Sequence, residues 1–408
     1  MADTDVSDLL TVEQAIAILD AAPVSPRTEQ RRLPDALGLR LAADIVADRD
    51  YPPFDKSVVD GYAVRCADVR QTPVQLTLAG EVSAGQMPPA PLEAGQAMAV
   101  MTGAPLPPGA DGVVPLEETQ VVDGAVRIQR AHYADRYVAR RGSDMEAGRI
   151  VLPRGTRLDA AQIAVAATVG AATVEVFARP RVAVLSTGDE LVPLDAVPAP
   201  AQIRGSNNLM LAAMLRALGC EPVDLGTMRD DPQVIGAALR KGMEQDAVCV
   251  TGGMSMGRYD HVPRLLREMG VQMPVTKLRI KPGKPFVYGF TATCHIFGLP
   301  GNPVSAFVCM ARLASRLLTR LAGGTVRDRW VAGQLSTGLA ANGAREFYQP
   351  VQLQYASRMA GQTGIIVHPL MWKGSADVFT LASADGLLIR AAGEPPLPKN
   401  SVVRVLEL

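Results

Sequence analysis

Four stretches of the 408-residue chain concentrate side chains able to handle phosphates, oxyanions and metal ions. Ser186-Thr187-Gly188-Asp189-Glu190 sets two hydroxyls and two carboxylates within five residues. Such a cluster suits Mg²⁺ held against a phosphate-bearing substrate, because Mg²⁺ takes one or two carboxylates and completes its shell with substrate oxygens. Asp230 and Asp260 are each followed by a helical pattern, which alone reads as a helix cap, but their convergence on the sheet edge that carries Glu190 favours a further acid of the same site. The run Gly252-Gly253-Met254-Ser255-Met256-Gly257 has the glycine spacing of a phosphate loop, but Arg258-Tyr259 stands where a Walker sequence needs Lys and Ser or Thr. What survives is either a tight turn or a loop whose backbone N–H groups approach an anion. In Lys277-Leu278-Arg279-Ile280-Lys281-Pro282-Gly283-Lys284-Pro285, alternate basic residues share one side of an extended segment, and the prolines stiffen the turn that carries Lys284. Rigid cations lose little entropy on meeting an oxyanion.

Other chemistries are poorly supplied. Four histidines without metal-ligand spacing make a histidine zinc site or a Ser-His-Asp enzyme a poor fit. Five scattered cysteines (Cys66, Cys220, Cys249, Cys294, Cys309) lack CxxC spacing and read as reduced, mostly buried thiols of a cytoplasmic protein. With 41 Lys+Arg against 41 Asp+Glu and 4% aromatics, the chain has neither the basic surface nor the stacking platforms of a nucleic-acid binder. It begins acidic, MADTDVSD, unlike a secretory signal, and no apolar run is long enough to span a membrane.

The length suggests two to four domains, and 48% hydrophobic residues are ample for packed cores. From 181 to about 321, short apolar strands alternate with helical patterns. Val182–Leu185 precedes the hydroxyl–acid cluster, and Ser206-Asn207 opens a helix ending at Gly219. Pro222–Gly226 is a strand, Asp230-Asp231-Pro232 starts a helix, and Ala247–Val250 runs into the glycine loop. Cys294–Phe297 leads to Gly298-Leu299-Pro300-Gly301-Asn302-Pro303 and a long helix. This predicts a doubly wound, mainly parallel α/β sheet whose loops gather where such sheets bind ligands. Before it, Val74–Leu78, Ala97–Met101 and Val121–Ile128 read as strands of a small β domain, with 54–63 and 101–105 as turns. Helices are expected over Val12–Leu19, from Leu33–Ala36 onward and over Ala160–Thr168, with a strand at Thr173–Phe177. Gln349–Tyr355, Gly364–His368 and Ser401–Leu408 are strands of a β tail.

The stretches FDKSVVDGYAVR (54–65), MTGAPLPPGADGVV (101–114), RRGSDMEAG (140–148), VAVLSTGDEL (182–191), LGTMRDDP (225–232), TGGMSMGRYD (251–260), KLRIKPGKPF (277–286) and GLPGNPVSAF (298–307) together resemble the molybdopterin molybdenumtransferases, the molybdenum insertases that include the gephyrin E domain. The motifs are ordered and cover most of the chain. The resemblance implies an elongated homodimer of four domains: an elongated linker and dimerisation domain (1–47 and 146–179), a small β domain (48–145), an α/β molybdopterin-binding domain (180–326) and a C-terminal β domain (327–408). It implies sites at the subunit interface and conversion of adenylylated molybdopterin and molybdate to molybdenum cofactor, with release of AMP and help from Mg²⁺.

Carried over position by position, the family's catalytic positions fall on Asp60, Thr102, Asp144, Glu190, Asp230 and Asp260, and the metal falls to Asp189 and Glu190. Its substrate positions fall on Thr187, Gly188, Gly252, Gly253, Ser255, Gly257, Lys277, Lys281, Lys284, Pro300, Gly301, Asn302, Pro303, Ser305, Arg345 and Ser375. A molybdopterin adenylyltransferase and an apo-molybdoenzyme are the partners it implies. The competing readings are ATP-dependent adenylyl transfer to molybdopterin and a non-enzymatic cofactor carrier or scaffold. The chain departs from the family pattern at Lys56, Ala139, Gly205 and Arg258.

Overall fold

The computed structural model describes residues 9–254, 261–355 and 364–408. The chain forms two compact units, one of Met1–Glu29, Gly38–Ala42 and Glu175–Leu408, the other of Gln30–Leu37 and Ala43–Val174.

The first unit is built on a six-stranded sheet. Strands Glu221–Met228, Arg181–Thr187, Ala247–Thr251 and His295–Leu299 lie side by side in that order and run parallel. Val287–Phe290 and Gln272–Val275 extend the sheet antiparallel, so it is mixed. Side-chain alternation explains why the parallel strands read as unbroken apolar runs. Val182, Val184 and Cys249 face helices Asn207–Ala217 and Pro303–Cys309 through Leu211, Leu215, Val304 and Val308. Ala183, Leu185, Val248 and Val250 face helices Pro232–Gly242 and Val262–Glu268 through Ile235, Leu239, Leu265 and Leu266. Helices therefore cover both faces, as expected of a doubly wound fold.

The N-terminal helix Val12–Ala21 begins with a capping box between Thr11 and Gln14 and buries Ala15 and Leu19 in the first of these cores. All five cysteines are buried and free.

In the same unit, Glu346–Tyr355, Ile365–Pro369, Trp330–Leu335, Val402–Glu407 and Gly386–Arg390 pair in sequence around a ring, and the last returns to pair with the first. The tail is thus a closed barrel filled by Leu335, Val351, Val367, Leu388 and Val405. A two-residue strand, Ile280–Lys281, pairs in parallel with Glu346 and Phe347 on its outside.

The second unit centres on a six-stranded sheet ordered Gly112–Pro115, Gly61–Val64, Gln96–Val100, Val74–Val82, Ala125–Ile128 and Thr119–Val122. Gly61 is required there, because a Cβ at that position would lie 2.1 Å from the Val114 carbonyl oxygen. Helix Ala160–Thr168 belongs to the same unit.

Several local expectations change. The stretch Val121–Ile128 is a hairpin, not one strand, because Asp123 and Gly124 both adopt positive φ and reverse the chain. Leu33–Ala36 is a single 3₁₀ turn ended near Gly38, which adopts φ +77°. Within 54–63, Lys56–Ser57 pairs with Val138–Ala139 and Gly61–Val64 is a central strand, so only part of that stretch is turn. Among the described residues, no helix is long and apolar enough to cross a membrane.

Candidate active site

Strand Arg181–Thr187 connects through helix Asn207–Ala217 to its neighbour on one side, whereas Ala247–Thr251 leads on to strands on the other side. The carboxyl ends of these two strands therefore flank a crevice, the place where open α/β sheets take ligands. A cavity of about 790 Å³ lies there, lined by Thr187, Gly188, Glu190, Asp230, Gly252, Gly253 and Pro303, and by Arg204, Ser206 and Asn207 opposite.

The strand ends pack closely. Gly252, at φ +85°, approaches Thr187 so tightly that a Cβ would stand 2.4 Å from the Thr187 carbonyl oxygen. A Cβ on Gly188, at φ +151°, would meet the Glu190 carboxylate at 2.6 Å, so this glycine lets the carboxylate fold back over its own loop. Beneath, Ser186 Oγ donates to Asn208 Oδ1 at 2.5 Å and shares a 2.7 Å hydrogen bond with Thr251 Oγ1. Asn207 Nδ2 donates to the Gly301 carbonyl at 2.7 Å, tying the helix start to the Pro300–Pro303 loop.

Two buried polar atoms here have no partner in the protein, Thr187 Oγ1 and Asn207 Oδ1. Both residues line the cavity. Buried polar atoms left unpaired are costly, and both belong to residues at the wall of a cavity that can take a polar ligand.

Asp230 is not the helix cap. Asp231 holds that role, its Oδ1 accepting from Gln233 N at 2.7 Å and Val234 N at 3.3 Å. Asp230 is left facing the cavity, and its backbone N donates to Asp189 Oδ1 at 3.2 Å. Partial burial, and then the Asp189 and Glu190 carboxylates, raise the Asp230 carboxyl above its usual range. Among the described residues no group of three or more His, Cys, Asp or Glu forms a ready metal cage. Glu190 and Asp230 nevertheless present two mutually repelling carboxylates to one cavity, the donor set Mg²⁺ accepts when a substrate supplies the remaining oxygens. Asp189 does not line the cavity and contributes through the loop instead.

A second cavity of about 530 Å³ shares Pro285, Pro300, Gly301 and Asn302 with the first, so the two are neighbours with a common wall. Lys281, Lys284, Arg345 and Lys373 line it, with Ser305 and Ser375, and none of its lining residues is acidic. The Lys281 ammonium sits 4.9 Å from the centroid of the Phe347 ring, and that ring stacks on Trp372 at 5.8 Å. Asn302 Nδ2 donates to Ser375 Oγ at 2.8 Å and Val304 N to the Ser375 carbonyl at 3.0 Å, holding the barrel loop against the α/β domain. Four cations and two hydroxyls without a carboxylate form a lining whose chemistry suits a compact oxyanion.

Not every expected residue converges here. Lys277 is half-buried and lines neither cavity, because the alternation that presents Lys281 leaves Lys277 further back along the segment. Arg279 is spent on the Ala344 carbonyl, at 2.7 Å. Ser255, Gly257, Arg258 and Asp260 lie outside the described residues.

Asp60, Thr102 and Asp144 belong to the second unit. Asp60 Oδ1 accepts from Thr102 N at 2.7 Å and from Thr102 Oγ1 at 2.8 Å, and these bonds hold the Asp60 carboxyl below its usual range. Asp144 lies in the turn whose backbone bonds to Tyr51. Arg141 pins that turn by its N–H to Asp55 at 2.8 Å and its Nε to Asp50 at 2.6 Å, and Arg140 also pairs with Asp55. No hydrogen bond joins Asp60 to Asp144 among those described.

Lys373, Trp372 and Phe379 line the cavities although no motif in the sequence marks them. They come from a barrel loop, and only its docking onto the Pro300–Pro303 loop brings them there.

Comparison with known proteins gives concordant findings. Residues 10–170 match the MoeA N-terminal region (domain I and II), residues 183–320 a probable molybdopterin binding domain, and residues 332–408 the MoeA C-terminal region (domain IV). A molybdopterin molybdenumtransferase of Nostoc sp. is 34% identical over 91% of this chain and 87% of its own. One from Haemophilus influenzae is 35% identical over 77% and 78%. The crystal structure of a molybdopterin biosynthesis MoeA protein from Pyrococcus horikosii superposes with a TM-score of 0.84 at 32% identity, covering 98% of this chain and 99% of that one.

Proposed function

Because the chain belongs to the molybdopterin molybdenumtransferase family, it is an enzyme of molybdenum cofactor biosynthesis, and we propose that it inserts molybdenum from molybdate into adenylylated molybdopterin and releases AMP. The observation that carries the reading is the adjacency of the two cavities, which share Pro285 and Pro300–Asn302 as lining. One offers Lys281, Lys284, Arg345, Ser305 and Ser375 to a molybdate dianion. The other offers backbone, Thr187 and two carboxylates to a phosphate-linked pterin. A single substrate spanning both would bring its sulfur end to the oxyanion and its phosphate end to the acids.

In this reading Lys281, Lys284 and Arg345 hold molybdate by charge-assisted hydrogen bonds, and Ser305 and Ser375 add directional ones. Their fixed positions bring the oxyanion to the dithiolene without reorganisation at the moment of reaction. Thr187 Oγ1 and the Gly252–Gly253 backbone bind phosphate oxygens, orienting the bond to AMP for cleavage. Glu190 and Asp230 would hold Mg²⁺, which supplies charge neutralisation on those oxygens. Asp60, Thr102 and Asp144 enter through a homodimer in which one subunit's β unit completes its partner's site. Mixing Asp60→Ala and Glu190→Ala subunits tests this, since a shared site regains activity in the hybrid and independent sites do not.

The function is tested by incubating the protein with adenylylated molybdopterin, Mg²⁺ and molybdate without ATP, following AMP release and activation of an apo-molybdoenzyme. Both signals, dependent on molybdate, are expected. A requirement for ATP would turn the reading to adenylyl transfer, and binding without either signal would turn it to a carrier.

A further inference from the structure

The rim of the larger cavity mixes the exposed polar residues Glu190, Arg204 and Ser206 with two exposed apolar side chains. Phe379 and Ile203 both line it, yet they are 85% and 58% exposed. Phe379 has little freedom to turn inward. Its helix, Val378–Leu381, is capped by Asp377, whose carboxylate accepts from Thr380 N at 3.1 Å, Thr380 Oγ1 at 2.7 Å and Lys373 N at 2.9 Å. Leu381 is buried in the core. Residues two apart on a helix point about 200° apart, so burying Leu381 commits Phe379 to the outside. Ile203 reaches the same cavity from the strand Ile203–Arg204, which pairs with Leu191–Val192.

An isolated exposed apolar side chain needs no explanation. Two of them lining one cavity, on a rigid turn and on a strand, above unpartnered buried atoms of Thr187 and Asn207, are a different case. The unpaired atoms call for a polar ligand below, and the apolar pair calls for a flat, weakly polar group above. We infer that Phe379 and Ile203 form a clamp that takes the fused planar heterocycle of the ligand, a purine or pterin ring, while its phosphates occupy the polar base. The ring gains by stacking on the Phe379 face, which every such heterocycle can do. The inference rests on the proposed function for the identity of the ligand.

The test measures binding of AMP, of a free pterin and of ribose 5-phosphate to the full chain and to Phe379→Ala, Phe379→Tyr and Ile203→Ser. Phe379→Ala is expected to weaken whichever ring-bearing ligand the clamp takes by about tenfold. Phe379→Tyr keeps the affinity, and Ile203→Ser loses part of it. Ribose 5-phosphate, which has no ring to stack, binds all four proteins alike. Loss for AMP alone or for the pterin alone names the ring. If AMP or the pterin binds normally and Phe379→Ala changes neither, or if ribose 5-phosphate suffers equally, the clamp is overturned while the proposed function stands. If the unaltered chain binds neither, the proposed function falls first.

Discussion

Thr187→Val separates folding from binding at the heart of the site. Valine has the same branched shape and suits the buried strand Arg181–Thr187 at least as well. Thr187 is 4% exposed and its hydroxyl has no partner, so the free protein carries an unpaired polar atom worth about 1–3 kcal/mol of destabilisation. Removing it is expected to raise the stability of the unliganded chain within that range. Ligand binding should respond oppositely, because a phosphate oxygen loses its donor. AMP at 100 times its Kd adds about 2.7 kcal/mol to the unaltered chain. A tenfold weaker site, roughly 1.4 kcal/mol poorer, would gain only about 1.4 kcal/mol at the same concentration. Thermal melts of both proteins, with and without AMP, read both effects together. The variant should melt higher alone and move less when AMP is added. A variant that melts lower alone, with its AMP increment undiminished, would show that the hydroxyl is bonded within the protein and that Thr187 is no ligand group.

Other consequences are as direct. Lys281→Ala and Arg345→Ala should each weaken molybdate binding at least tenfold by titration calorimetry, in line with about 1.5–3 kcal/mol for a charged hydrogen bond, with far-UV dichroism unchanged. Of the two tryptophans, Trp372 lines the oxyanion cavity while Trp330 lies between Arg312 and Arg404. A Trp330→Phe protein should therefore retain a molybdate-dependent change in emission, and a Trp372→Phe protein should lose it. Burial, and then Arg320, lowers His295 to about 4. Its folded value lies below the unfolded one near 6.5, so its contribution is complete above pH 6.5 and is lost as pH falls towards 4. From that shift the loss is about 3 kcal/mol, readable by urea unfolding, and His295→Phe should flatten the dependence in that window.

What the sequence disclosed follows what neighbours along the chain can encode. Alternating apolar strands with polar loops at their ends placed Thr187, Glu190, Gly252 and Pro300–Pro303 at one sheet edge, because in a parallel sheet every strand ends on the same side. Two adjacent aspartates show where local pattern alone is ambiguous and convergence on the sheet edge decides. Asp230 and Asp231 compete for one cap, and the geometry that lets Asp231 reach two backbone N–H groups frees Asp230. The Asp123-Gly124 reversal was a readable hairpin signal hidden inside an apolar run. Lys373, Trp372 and Phe379 had no comparable signal, since their role depends on barrel closure and on contacts between segments about 70 residues apart, such as Asn302 with Ser375.

The strand Ile280–Lys281 belongs by sequence to the α/β domain and by hydrogen bonding to the barrel. Modularity therefore stops short of the oxyanion receptor: a fragment ending before residue 327 would keep Lys281 but forfeit the Glu346–Phe347 ladder and the aromatic ring that aim it. Transplanting the α/β domain onto another scaffold would carry over the cavity of Thr187, Glu190 and Asp230 without Arg345, Trp372, Lys373 and Ser375, which complete the cation-lined one. For this part of the chain, the smallest heritable unit of chemistry is the pair of domains together.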